Sequence, residues 1–139
     1  MTPHFSLKEL TITSQPLDNL PQTEEMQSRL VQLAMNLEHV RALLGHMPIY
    51  ISSGYRSPKV NAEVGGSPTS DHMTGYCADF VPPVRLVEAM RIIEKSWLPF
   101  DQLILEQVQG IVHISFAPPF RRQILTRKGN QYLPGILSA

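Results

Sequence analysis

Residues 52–80 read SSGYRSPKVNAEVGGSPTSDHMTGYCADF and set Arg56, His72 and Asp79 in one turn-rich passage. His72 offers an imidazole nitrogen and Asp79 a carboxylate oxygen. They lie seven positions apart with Gly75 between them, so the chain can turn and bring both to one cation. His113, inside the strand-like run GIVHISF at 110–116, is the third candidate. Hydrolytic zinc takes three ligands from His, Asp, Glu or Cys and keeps a fourth position for water. Each residue alone is a weak signal, because a solitary histidine or a strand-end aspartate is more often structural.

Those side chains need strands and turns to carry them. Tyr76–Val81 reads as a strand ended by Pro82-Pro83, and it holds Asp79. Ile49–Ser52 is a short strand leading into GYRSP. Lys59–Val64 fits a helical turn stopped by Gly65-Gly66, after which the loop at 66–70 delivers His72. Farther on, Gln102–Val108 and Ile111–Phe116 form a hairpin around Gln109-Gly110. Pairing Val108 with Ile111 puts Glu106 opposite His113, on one face and roughly 5 Å apart between Cβ atoms. Gln102 and Ile104 share that face, as does Ser115 on the other strand. Cys77 shares a face with Asp79 but sits about 7 Å along the strand. That is too far for joint ligation without distortion, and Cys77 reads as a small buried filler.

Two helices supply the core. Thr23 caps the first, where Met26, Leu30, Leu33, Leu37, Val40 and Leu44 recur at helical spacing until Gly45 ends it. The second covers Val84–Trp97, with Leu86, Val87, Met90, Ile93 and Trp97 facing inward. Ser6 and Glu9 form a capping box near the N-terminus, and residues 11–21 are loop. The tail at 120–139 carries Arg121, Arg122, Arg127 and Lys128, and reads as a loosely packed extension or a contact surface. The expected fold class is α+β: a small antiparallel sheet with flanking helices. It forms one domain over 1–139, with a lead-in segment at 1–22.

Composition removes several classes of function. At 139 residues and 42% apolar content the chain suits one globular domain rather than a disordered segment. Lys plus Arg equals Asp plus Glu at 12 each, so no charge excess points to nucleic acid or an anionic membrane. One cysteine excludes an internal disulfide framework. The apolar runs fall far short of the ~20 residues a membrane helix needs. MTPHFSLKEL lacks the basic and apolar regions of a secretory signal, so the expected location is the cytoplasm of the producing cell.

Three motifs in order carry a resemblance: SGYRSP-x-VN, then S-x-H-x-x-G-x-x-x-D-F, then VHISF. Together with the FSLKEL opening and DQLILE they resemble the zinc D-alanyl-D-alanine carboxypeptidase family, peptidase family M15, in its short, phage-associated branch. The resemblance covers most of the chain and leaves mainly the tail outside. It implies the fold of the zinc D-Ala-D-Ala peptidases (Hedgehog type) and one zinc ion held by His72, Asp79 and His113. It places Arg56 where an arginine steadies the substrate carbonyl or carboxylate, a role that suits a planar, permanently charged fork. Ser70 is expected to hydrogen-bond within the site loop, and Ser115 and Gln102 to lie beside the ligands.

The sequence departs from the family at the general base. Relatives carry an acidic residue three positions before the last ligand, or a histidine two before; here those positions are Gly110 and Ile111. Glu106, brought over by the hairpin, is the substitute. On this reading the protein is a peptidase acting on D-amino-acid-containing stem peptides of bacterial peptidoglycan, as a carboxypeptidase or an endopeptidase. It would be a phage-associated lysis enzyme that reaches the wall after release. One alternative is a wall-binding or virion structural module that keeps the zinc fold without turnover, which the glycine at 110 favours. Another is a metal-free interaction domain with ordinary histidines.

Overall fold

Alternation along the central strands decides which side of the sheet meets the helices. Ala78 and Phe80, Leu103 and Leu105, and Val112 and Ile114 point one way and are fully buried. The intervening residues, among them Asp79, Glu106 and His113, point the other way. The computed structural model describes residues 1–15 and 18–137. Positions 16–17 of the expected loop and 138–139 of the expected tail lie outside the described residues.

The elements run α1 (Leu7–Leu10), α2 (Glu24–Leu43), β1 (Tyr50–Ser53), α3 (Pro58–Glu63) and a 3-10 turn at Asp71–Met73. They continue with β2 (Cys77–Val81), α4 (Leu86–Glu94), β3 (Gln102–Glu106), β4 (Ile111–Ser115), β5 (Gln123–Lys128) and β6 (Gln131–Pro134). One six-stranded sheet has the order β1-β2-β4-β3-β5-β6. Every pairing is antiparallel except β3 with β5. The α+β expectation therefore holds, with a sheet wider than the sequence suggests.

Helix α2 starts where Thr23 accepts a hydrogen bond from the Met26 amide. Its Leu30, Leu33, Leu37 and Val40 are buried against the apolar sheet face, together with Met90 and Ile93 of α4. Each such side chain contributes roughly 1.5–3 kcal/mol by leaving water. The N-terminal capping box forms as read, with Ser6 and Glu9 bonding reciprocally.

Two expectations fail here. Trp97 is 66% exposed, its ring edge-on to His39 at 5.1 Å between centroids. Helix α4 stops at Glu94, so helical periodicity no longer governs Trp97. The tail is also no loose extension: residues 123–134 form the β5–β6 hairpin, and β5 joins the sheet beside β3.

Candidate metal centre

His72 sits on the 3-10 turn, where the Ser70 hydroxyl accepts from the His72 amide at 3.2 Å. Its Nδ1 lies 2.7 Å from the Gly54 carbonyl oxygen. A carbonyl only accepts, so Nδ1 carries a proton and Nε2 is the ring nitrogen left to meet other partners. That nitrogen faces Asp79 Oδ2 at 3.3 Å.

Asp79 of β2 stands directly across from His113 of β4 in the antiparallel register. His113 Nδ1 is 2.8 Å from Asp79 Oδ1. One carboxylate thus lies between two imidazoles whose ring centres are 5.3 Å apart. His72 and His113 are both buried. Burial pushes the Asp79 carboxyl upward, but the hydrogen bonds from His113 and His72 outweigh it and hold the group well below the ordinary range. For His113 burial acts to lower the pKa, and the Asp79 hydrogen bond reverses it, leaving the imidazole raised.

With Nδ1 committed to Gly54, the contact between His72 Nε2 and Asp79 Oδ2 is favourable only with a proton or a cation between them. Two imidazole nitrogens and a carboxylate oxygen suit zinc in both ligand type and hardness. The residues present fit that ion.

The pocket that holds this trio has a volume of about 850 Å³ and is lined on its far side by Gln123, Arg127 and Tyr132. Arg56, on the near side, donates its backbone amide to the His72 carbonyl at 2.9 Å. Its Nη2 approaches Ser70 Oγ at 3.5 Å, and its Nε is buried without a partner among the described residues. Ser70 therefore does support the site loop. Gln102 lines the pocket and donates to Gln123 Oε1 at 2.9 Å. Ser115 is fully buried, and its hydroxyl accepts from the Ala117 amide at 3.3 Å, at the strand exit.

The register of the β3–β4 hairpin corrects the expectation for Glu106. Ile104, not Glu106, lies opposite His113, and Glu106 pairs with Ile111. The chain turns through residues 107–110, closed by Gly110 N to Gln107 O at 3.1 Å, instead of a two-residue turn at 109–110. The slip is two residues, so Glu106 stays on the His113 face. One of its carboxylate oxygens comes within 4.8 Å of ligand atoms of both Asp79 and His113.

Cys77 is fully buried, as a small filler would be. Its sulfur lies within 4.8 Å of ligand nitrogens of His72 and His113. Burial, then the nearby Asp79 charge, raises its pKa well above that of an ordinary thiol.

The family model described as Peptidase M15 matches residues 3–115, a span that contains His72, Asp79, His113, Arg56 and Glu106. The chain belongs to peptidase family M15. M15 peptidases are zinc-dependent, which makes this domain a zinc metallopeptidase of the peptidoglycan-hydrolase kind. No curated protein matches the chain. Hairpin β5–β6 lies beyond the span that matches the M15 model.

Residues that sequence reasoning missed frame this M15 site. Asn19, buried, donates to the carbonyls of Thr11 and Tyr55 at 2.9 Å each and accepts from the Ser57 amide at 2.7 Å, pinning the GYRSP loop. Arg127 reaches Glu106 at 2.8 Å. An asparagine in a polar loop and an arginine in a basic tail carry no local signal of either contact.

Proposed function

We propose that residues 1–139 act as one domain that hydrolyses a peptide bond in D-amino-acid-containing stem peptides of peptidoglycan, with one zinc ion held by His72, Asp79 and His113. The arrangement of His72 carries this reading: its Nδ1–H is committed to Gly54, and its Nε2 faces a carboxylate that His113 also engages. A zinc ion held by these residues would lower the pKa of a bound water and polarise the scissile carbonyl.

Glu106 takes the proton from the attacking water and returns it to the leaving amine. Its position on the His113 face, with an oxygen within 4.8 Å of the ligand set, supports that role. Arg56 meets the substrate carbonyl or carboxylate oxygen, and its buried, unpartnered Nε supports an anionic partner supplied by the substrate. Ser70 and the Gly54 carbonyl keep the His72 turn in place. The setting implied by the resemblance is a phage-infected cell, with the enzyme reaching the wall after release.

Metal analysis of the purified protein together with amine release from purified peptidoglycan tests the reading. Activity lost in Glu106→Ala while zinc is retained supports it, and mass spectrometry of the products separates trimming of a terminal residue from cleavage inside the stem. A second reading has its own support in Cys77: a thiolate completing a closed four-ligand set would make the zinc structural and the domain a wall-binding module. Retained zinc, binding to peptidoglycan and no amine release would select that reading.

A further inference from the structure

Glu106 closes β3, and a strand-end carboxylate on its own would swing about its last torsion. The C-terminal hairpin prevents this. Strand β5 runs parallel to β3, with Leu125 beside Ile104 and Thr126 beside Leu105. That register brings the next residue, Arg127, alongside Glu106, and its Nη1 donates to Glu106 Oε1 at 2.8 Å. Arg127 is itself anchored. Its Nε donates to the Gly129 carbonyl at 3.0 Å, and its guanidinium carbon lies 5.8 Å from the Tyr132 ring centre. The Glu106 side chain is 10% exposed and that of Arg127 32%, so the pair is largely shielded from solvent.

The other arginine of the hairpin side of the cleft is committed elsewhere: Arg121 binds Asp101 through two side-chain bonds of 2.8 Å each. Arg127 is the cation bonded to Glu106 from β5, while His113 comes within 4.8 Å of it from β4, on the other flank of β3. Holding Oε1 fixes the plane of the carboxylate and leaves Oε2 as the oxygen that can exchange a proton. A fixed positive charge also offsets the repulsion between Glu106 and the Asp79 carboxylate.

We infer that Arg127, on a hairpin beyond the span that matches the family, is a positioning residue that holds the Glu106 carboxylate in its working orientation. This rests on the reading of Glu106 as the base. The catalytic unit then extends past the matched residues, and the β5–β6 hairpin belongs to the active site.

The test uses disaccharide-peptide fragments solubilised from purified peptidoglycan, with zinc content and melting temperature measured for every variant. Arg127→Met is expected to lower kcat by about 10–100-fold, the range for partners that orient a functional group, with KM little changed. Arg127→Lys, which restores one donor, recovers most of the rate. In a Glu106→Gln background, Arg127→Met costs nothing further, because the two side chains act as one unit.

A rise in KM at unchanged kcat would overturn the inference by making Arg127 a substrate contact. An additive loss in the Glu106→Gln background would overturn it as well. Loss of zinc and early melting in both Arg127 variants would make the residue scaffold only. If Glu106→Gln keeps full kcat, the base assignment itself fails and the inference falls with it. A crippled Glu106→Gln beside an unimpaired Arg127→Met sinks the inference alone.

Discussion

The two faces of β2, β3 and β4 are almost equally dry and are held together by different physics. On the helix side, Phe80, Leu103, Leu105, Val112 and Ile114 have no measurable exposure. On the other side, His113 and Glu106 are each only 8% exposed. Dispersion and the loss of apolar surface to water hold the first face. The second is held by pairing each buried charge: Asp79 with His72 and His113, and Glu106 with Arg127. Burial therefore does not mark the site. What marks it is a chain of polar partners that converges on the Asp79 carboxylate, between His72 Nε2 and His113 Nδ1.

The sharpest break in this comparison comes from removing one of the three proposed ligands. His113→Ala is expected to abolish zinc retention and to lower peptidoglycan hydrolysis by more than ~100-fold, beyond what loss of an orienting partner causes. Circular dichroism should still report a folded sheet, because the apolar face is untouched. The converse substitution is Leu103→Ala, one residue away in strand pairing and on the opposite face. It should cost ~2–5 kcal/mol of unfolding free energy in denaturant titration. The folded fraction should keep its zinc and its turnover. If Leu103→Ala lost zinc while still folded, the two faces would not be separable.

Gly54→Ala probes where the faces meet. A Cβ there would lie 2.4 Å from the Leu10 carbonyl oxygen, so the backbone must shift. The same residue's carbonyl holds His72 Nδ1. Both readouts should move together: a lower melting temperature and a zinc affinity about 10–100-fold weaker, as for loss of a partner that orients a metal-binding histidine.

Much of this layout was legible in the sequence, and the misses share a cause. The α2 stripe from Leu30 to Val40 and the alternation along β2 and β4 are local patterns with a fixed period, so they survive folding. The face of Glu106 was legible too, because a two-residue slip preserves the pleat; its partner was not, because Gln109-Gly110 alone does not fix the length of the turn. Trp97 fits helical spacing only if the helix continues past Glu94. Arg127 and Asn19 act across 21 and up to 38 positions. Contacts at that range depend on strand order and loop path, which composition does not encode.

The smallest effect should come from the rim. The hydrogen bond from Arg121, and then its charge, hold the Asp101 carboxyl below the ordinary carboxylate range. A depressed folded-state value means that the pair stabilises the protein above the unfolded-state pKa of ~3.9, and that this contribution fades as pH falls through the folded value. Asp101→Asn should lower the melting temperature by a few degrees at neutral pH. The difference from the native protein should shrink toward zero in strong acid. A difference that stays constant down to the lowest pH would show that packing, not charge, is what Asp101 supplies.

X-ray absorption at the zinc edge of the loaded protein tests the central assignment most directly. Ligation by His72, Asp79 and His113 with a water position predicts a single shell of nitrogen and oxygen neighbours at ~2.0–2.1 Å and no sulfur. A sulfur neighbour at ~2.3 Å would place Cys77 on the metal, close the coordination sphere and contradict the hydrolytic account.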